Sequence, residues 1–136
     1  MNDILFDQAK FNSLLEKASK EKRLRACIDL RTSPEECTQR ILNGLIPGTV
    51  VPIHRHETCE TIMIIKGRIT EVFFDNEGNE TERYELCQAI GNFGICIPEN
   101  TWHTVIVHES SITFEGKAGK YKPNTEVCPF ESKFKR

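Results

Sequence analysis

Along residues 8–20 apolar side chains recur at helical spacing, with Phe11, Leu14, Leu15 and Ala18 on one face of a stretch otherwise rich in Lys and Glu. Asp7 offers a side-chain oxygen to the free N–H groups of a first turn. An amphipathic N-terminal α-helix is therefore predicted, lying against the rest of the fold. A short polar stretch containing Pro34 follows, and from Gln39 onward the pattern changes to short apolar and β-branched runs broken by turn residues. The clearest hairpin joins Arg68–Phe74 to Glu80–Leu86 through the polar, Gly-containing turn of residues 75–79. Further strands are predicted at Ile95–Ile97, His103–Val107 and Ile112–Glu115. Many short strands with no helices between them predict an all-β fold, an antiparallel sandwich or jelly-roll barrel. The basic end, Lys133–Arg136, reads as a frayed tail.

A chain of 136 residues fits a single domain. We divide it into a helix and lead-in segment (1–38), a β-barrel core (39–116) and a C-terminal extension (117–136). With 18 Lys and Arg against 20 Asp and Glu, the net charge of -2 creates no strong field toward nucleic acid or an anionic membrane. No apolar run reaches the roughly 18 residues that a membrane span needs. Asp3 and Asp7 interrupt the apolar residues at the N-terminus, and no small-residue cleavage site follows, which predicts a mature cytoplasmic protein. In that compartment Cys27, Cys37, Cys59, Cys87, Cys96 and Cys128 are read as reduced thiols. They form no C-x-x-C pair, so a zinc cage of cysteines is not supported. Cys96, inside the run Ile95-Cys96-Ile97, is expected to be buried.

Three of the four histidines stand where a metal site needs them. If Val50–His56 is extended, His54 and His56, two residues apart, project from one face of the strand. Glu60 would lie about 13 Å beyond His56 on a continuing strand at roughly 3.3 Å per residue. The chain must therefore turn at residues 57–59 and bring Glu60 back on a neighbouring strand. His103 must arrive from a remote strand after the turn-forming Pro98-Glu99-Asn100. Three imidazoles and one carboxylate suit zinc, iron, nickel, copper or manganese better than calcium or magnesium. Alternation places His108 on the opposite face from His103, at the surface or behind the ligands.

The stretch Gly48-Thr-Val-Val-Pro-Ile-His54-Arg-His56-Glu-Thr-Cys-Glu60-Thr-Ile-Met-Ile-Ile-Lys-Gly67 resembles the first motif of the cupins, G-x5-H-x-H-x3-E-x6-G, at every defined position. The second motif, G-x5-P-x-G-x2-H-x3-N, is met in part. Pro98 and His103 have the right separation, Asn100 stands for the Gly and Val107 for the Asn, and Gly91 is one residue too far from Pro98. A narrower resemblance, to the WbuC family of cupin-fold metalloproteins, is carried by Gln39-Arg40-Ile-Leu-Asn43-Gly-Leu-Ile-Pro-Gly48-Thr leading into His54-Arg-His56, and by Glu115-Gly-Lys117-Ala-Gly119-Lys-Tyr121. These resemblances imply a double-stranded β-helix holding one divalent metal at His54, His56, Glu60 and His103. They also imply a setting in bacterial surface-polysaccharide (O-antigen) biosynthesis.

Four protein ligands on an ion that accepts six leave room for a small-molecule ligand. Arg40, Asn43, Lys117 and Tyr121 are candidate substrate-binding residues. Arg40 and Asn43, three apart, fall on opposite faces of a regular strand, so only one points into the barrel. Arg23, Arg25, Arg31 and Arg40 precede the barrel and suit an anionic ligand such as a nucleotide sugar. Read otherwise, Arg23 and Arg25 are a solvated helix end and Arg31 is half of a surface pair. Trp102 is a packing residue or a stacking platform for a sugar. No catalytic residue is assigned, but Tyr84, Tyr121 and Glu71 are acid–base candidates for a metalloenzyme of isomerase, epimerase, lyase or oxygenase type acting on a sugar-derived substrate. The alternatives are a non-catalytic binding or regulatory protein and a purely structural metal, which would need every coordination position filled by protein. An open sheet edge favours a homodimer.

Overall fold

Asp7 Oδ1 accepts a hydrogen bond of 2.9 Å from the Lys10 N–H and starts helix α1 (Gln8–Lys20), in the computed structural model, which describes residues 4–136. Asp3, read above as one of two interruptions of the N-terminal apolar stretch, lies outside the described residues. Phe11, Leu14 and Ala18 are buried along one face of α1, as the spacing predicts.

Eight strands follow: β1 (Arg25–Asp29), β2 (Thr38–Leu45), β3 (Glu60–Lys66), β4 (Ile69–Phe74), β5 (Glu80–Leu86), β6 (Gly94–Ile97), β7 (Trp102–Val107) and β8 (Ser111–Ala118). They form a five-stranded sheet in the order β1-β2-β8-β3-β6 and a three-stranded sheet in the order β5-β4-β7, with every pairing antiparallel. The fold is an all-β, cupin-like jelly roll with one N-terminal helix. The predicted hairpin is β4–β5, closed by Asp75, whose carboxylate accepts from the Glu77 and Asn79 N–H groups. β1 differs from the sequence expectation, in which residues 1–38 form a helix and a polar lead-in.

Alternation along each strand sorts side chains between two environments. The inward set includes Leu45, Ile62, Ile64, Ile69, Phe73, Val105 and Val107, which pack together between the sheets. The outward set of β2 and β8, including Leu42 and Ile112, packs under Phe11 and Leu14 of α1. Burying each such side chain contributes about 1.5–3 kcal/mol. All six residues of β4 are buried because its outer face is covered too. Val72 and Phe74 pack there with Trp102 of β7 and with Cys128 and Phe130 from the C-terminal extension.

That extension is therefore not a frayed tail at its end. Phe134 stacks edge-on to Phe74 at 5.0 Å, and Arg136 donates to the Val51 carbonyl at 2.8 Å. Cys96 is a second correction: its side chain takes the outward position of β6 and is exposed, while Ile97 beside it faces the core. The six cysteines are all free thiols. Gly67, between β3 and β4, has φ +94°, and a Cβ there would stand 2.2 Å from Ser111 Oγ, so only glycine fits this turn. No helix among the described residues is long and apolar enough to cross a membrane.

Candidate metal centre

Residues 50–59 run between β2 and β3 as irregular chain rather than as the extended strand inferred from the sequence. One local pairing fixes them. His54 and His103 form an antiparallel bridge, with N–H to carbonyl distances of 3.0 and 2.9 Å in the two directions. The His56 carbonyl then accepts from the Asn100 N–H at 2.7 Å. Asn100 takes φ +59°, a left-handed conformation that asparagine tolerates, at the position where the second cupin motif carries glycine. The turn at residues 57–59 brings Glu60 back as the first residue of β3.

The result is a cluster of His54, His56 and His103, with one ring nitrogen from each lying within 4.8 Å of the others. Glu60 joins it, with Oε2 3.5 Å from His56 Nε2 and Oε1 3.5 Å from His103 Nε2. Two rings are oriented from behind. His54 Nδ1 lies 2.8 Å from the Pro52 carbonyl and His103 Nδ1 lies 2.9 Å from the Thr101 carbonyl. A carbonyl only accepts, so each Nδ1 carries the proton and, in the neutral ring, each Nε2 presents a lone pair. Burial, reinforced by the neighbouring His103, lowers the His54 pKa to about 4, which keeps that ring neutral. Burial also lowers the pKa of His56. At Glu60 burial pushes upward, but His103, then Lys117 and His56, outweigh it and hold the carboxyl in its ionised form.

The donor set fits a transition metal. His103 Nε2 is buried without a hydrogen-bond partner, since 3.5 Å to Glu60 exceeds a normal hydrogen bond. Burial lowers the His103 pKa, but Glu60 and Glu71 outweigh it and raise it, so without a metal a proton is drawn between His103 Nε2 and Glu60; a metal ion would take that proton's place beside two further imidazoles.

Residues 6–86 match the model of the family described as domain of unknown function DUF6016. The chain belongs to that family. No curated protein matches this DUF6016 chain in sequence. Among solved structures it is similar to a conserved Streptococcus pyogenes protein of unknown function, at 11% identity and TM-score 0.61, covering 90% of this chain and 92% of that one. KdgF from Halomonas sp. is similar at 15% identity and TM-score 0.58, over 75% and 85% of the two chains. Bacillus subtilis oxalate decarboxylase is similar at 16% identity and TM-score 0.57; 73% of the DUF6016 chain is covered, but only 26% of the decarboxylase. These likenesses place the chain in the cupin fold.

Two cavities meet the histidine cluster of the DUF6016 protein. The inner one, about 180 Å³, lies inside the barrel and is lined by His54, Glu60, His103, Asn43, Glu71 and Glu115 among others. Glu71 is buried with Oε2 unpartnered, and burial raises its carboxyl to about 8. Burial, with Glu60 next to it, also raises Glu115, which accepts from Asn43 Nδ2 at 3.2 Å. The outer cavity, about 480 Å³, lies between the lead-in segment and the C-terminal extension and includes Arg23, Arg25, His54 and His56.

The sequence-derived candidates divide between these places. Asn43 lines the inner cavity, and Lys117 Nζ lies 3.4 Å from His56 Nδ1 and 3.7 Å from Glu60 Oε2. Arg40, on the opposite face of β2 from Asn43, is paired with Glu36. Tyr121 is exposed, with the Arg31 guanidinium 5.7 Å from its ring centre. Tyr84 is exposed against Phe73. None of Arg40, Tyr121 and Tyr84 lines either cavity. His108 is exposed and hydrogen-bonded to Thr70 at 2.7 Å. Trp102 packs against Phe130 and carries the Arg55 guanidinium 4.2 Å from its ring centre. Glu115 and the placement of Arg25 on β1 escaped the sequence reading. The inward parity of Glu115 with Thr113 on one strand was the available signal.

Proposed function

We propose that this protein binds one divalent transition metal, zinc, iron, nickel or manganese, through His54, His56, Glu60 and His103, and is a metalloenzyme of isomerase, epimerase, lyase or oxygenase type. Its substrate is a small sugar-derived molecule. The observation that carries the metal assignment is the buried, unpartnered Nε2 of His103 inside a cluster of three imidazoles and an ionised carboxylate. Manganese stands among the candidates partly because the fold resembles oxalate decarboxylase, a protein with Mn(II) centres. When bound, the ion would polarise a carbonyl or hydroxyl oxygen of the ligand.

The chain's own residues supply the rest. The Pro52 and Thr101 carbonyls hold two rings in place, and side chains from both sheets line the inner cavity. Asn43 and Glu115 offer hydrogen bonds to hydroxyl groups. Glu71, buried and facing the same cavity, holds a proton at neutral pH and is the acid–base group we assign. The surface-polysaccharide setting rests on the resemblance of Gln39–Thr49 and Glu115–Tyr121 to the WbuC family. We place the protein in the cytoplasm as a homodimer, for which the open β6 edge, flanked by exposed Met63, Ile90 and Phe93, offers a surface.

A second reading, a non-catalytic protein in which the metal anchors a sugar or carboxylate, draws support from the position of Tyr84 and Tyr121 outside both cavities. Tight ligand binding without turnover distinguishes it.

Metal analysis of protein purified without an affinity tag or added metal, alongside His56→Ala, tests the core of the proposal. About one transition metal per chain is expected in the wild type and none in the variant. Wild-type protein that is metal-free and takes up none on titration overturns it.

A further inference from the structure

Six of the eight arginines in this chain are ion-paired with an Asp or Glu. The two exceptions, Arg23 and Arg25, line the same cavity. Neither guanidinium has a carboxylate partner among the described residues; Arg25 donates one hydrogen bond, to the Val50 carbonyl at 3.0 Å. Leu24 between them takes φ +57°, so the chain turns sharply there as it enters β1. Burial, and then the charge of Arg23, lower the Arg25 pKa, which marks two like charges held close together in a partly desolvated wall. The acidic groups of that cavity are not paired with them. Glu126 is held by Arg55 at 2.7 and 2.9 Å; Glu131 Oε1 receives the Ile53 N–H and Arg136, and its Oε2 is buried without a hydrogen-bond partner.

We propose that Arg23 and Arg25 form an oxyanion subsite that holds the phosphate or carboxylate of a small ligand at the mouth of the barrel. Guanidinium forks match the geometry of either group, and an anion between them removes the repulsion that the protein leaves uncompensated. Arg25 and His54 line both cavities, so a molecule seated here extends toward the histidine cluster. Chemistry sorts its two ends. The inner cavity is lined by the carboxyl groups of Glu60, Glu71 and Glu115 and by Asn43, which offer hydrogen bonds to an uncharged, hydroxyl-bearing part, while the anionic part sits on the arginines. That the inner end meets a metal rests on the function proposed above; the oxyanion subsite itself does not.

The test is titration of chelator-treated protein with inorganic phosphate, and separately with acetate, in low-salt Tris buffer, followed by calorimetry and amide chemical shifts. Saturable binding with shifts centred on residues 23–25 is expected, and whichever anion binds more tightly identifies the group. Arg23→Ala, at an exposed position, should bind roughly tenfold or more weakly, and Arg25→Lys, which keeps the charge but loses the fork, should also weaken. The titrations use chelator-treated protein, and metal uptake is measured separately on the same wild-type sample, so failure of the metal site and failure of the oxyanion subsite are read apart. No saturable binding of either anion, or equal affinity in wild type, Arg23→Ala and Arg25→Lys, overturns the proposal.

Discussion

His103 Nε2 and Glu60 Oε1 face each other at 3.5 Å, brought together by β7 of one sheet and β3 of the other. Neither strand places its residue there for packing alone, since both side chains are buried and polar. A cation between them would bind the folded chain and not the unfolded one. Chelation should therefore lower stability by about 2.7 kcal/mol relative to protein at free metal 100 times the dissociation constant. His103→Ala should remove this chelator sensitivity. Thermal unfolding of both proteins with and without chelator checks the prediction, and an equal chelator effect in the two would contradict it.

Lys117 competes with a metal for the same partners. Its ammonium is 3.7 Å from Glu60 Oε2 and 3.4 Å from His56 Nδ1, so it adds a positive charge and draws on a ring that a cation would use. Lys117→Met removes the charge while keeping most of the stem. Divalent metal affinity should rise by roughly tenfold or more, since unit charges about 4 Å apart repel by about 4 kcal/mol at an effective dielectric near 20 and the flexible Lys117 stem can relieve part of that by swinging away. Competition against a chelator of known affinity measures it, and unchanged or weaker binding would count against the repulsion.

Much of this centre was legible in the sequence because strand parity and turn residues carry the information. His54, His56, Glu60 and His103 were singled out from spacing, and parity placed Asn43 and Arg40 on opposite faces. What escaped depends on contacts between distant segments. β1 has a mixed pattern, Arg-Ala-Cys-Ile-Asp, and its strand state comes from pairing with β2, residue against residue from Arg25–Leu45 to Asp29–Ile41. The basic end reads as a tail in isolation, and contacts with the Val51 carbonyl, Glu131 and the Phe74 ring hold it down. Cys96 takes the outward position on β6, an edge strand, and is exposed there.

Glu71 predicts a pH dependence of stability. In the folded, metal-free protein burial raises its carboxyl from 4.5 to about 8. The folded state thus holds a proton that the unfolded state releases, and stability declines as pH rises between these values. The contribution is fully present below pH 4.5 and lost once pH passes about 8. The slope is at most about 1.4 kcal/mol per pH unit. Glu71→Gln mimics the protonated form, so it should match the wild type near pH 5 and be the more stable protein at pH 8. Denaturant unfolding of the chelated proteins across this range is the measurement; parallel curves would mean that Glu71 ionises as an exposed carboxyl does.

Arg55, between His54 and His56 in sequence, does a different job from theirs. Its guanidinium lies 4.2 Å from the Trp102 ring centre, holds both oxygens of Glu126 at 2.9 and 2.7 Å, and so ties the C-terminal extension to the strand that carries His103. The same extension walls the outer cavity with Asn124, Glu126 and Cys128. Phe130 and Phe134 remain anchored on β4 without Arg55, so the fold should survive its removal. Arg55→Ala should cost about 1–2 kcal/mol, given a partly exposed ion pair and one cation–π contact. The larger effect is local: amide exchange across residues 122–128 should quicken while β4 and β7 keep their protection. Metal stoichiometry should not change, because no ligand is removed. Arg55→Lys, which keeps the charge but not the two-pronged grip, should fall between wild type and alanine; uniform exchange across all three proteins would show that the extension is held by its phenylalanines alone.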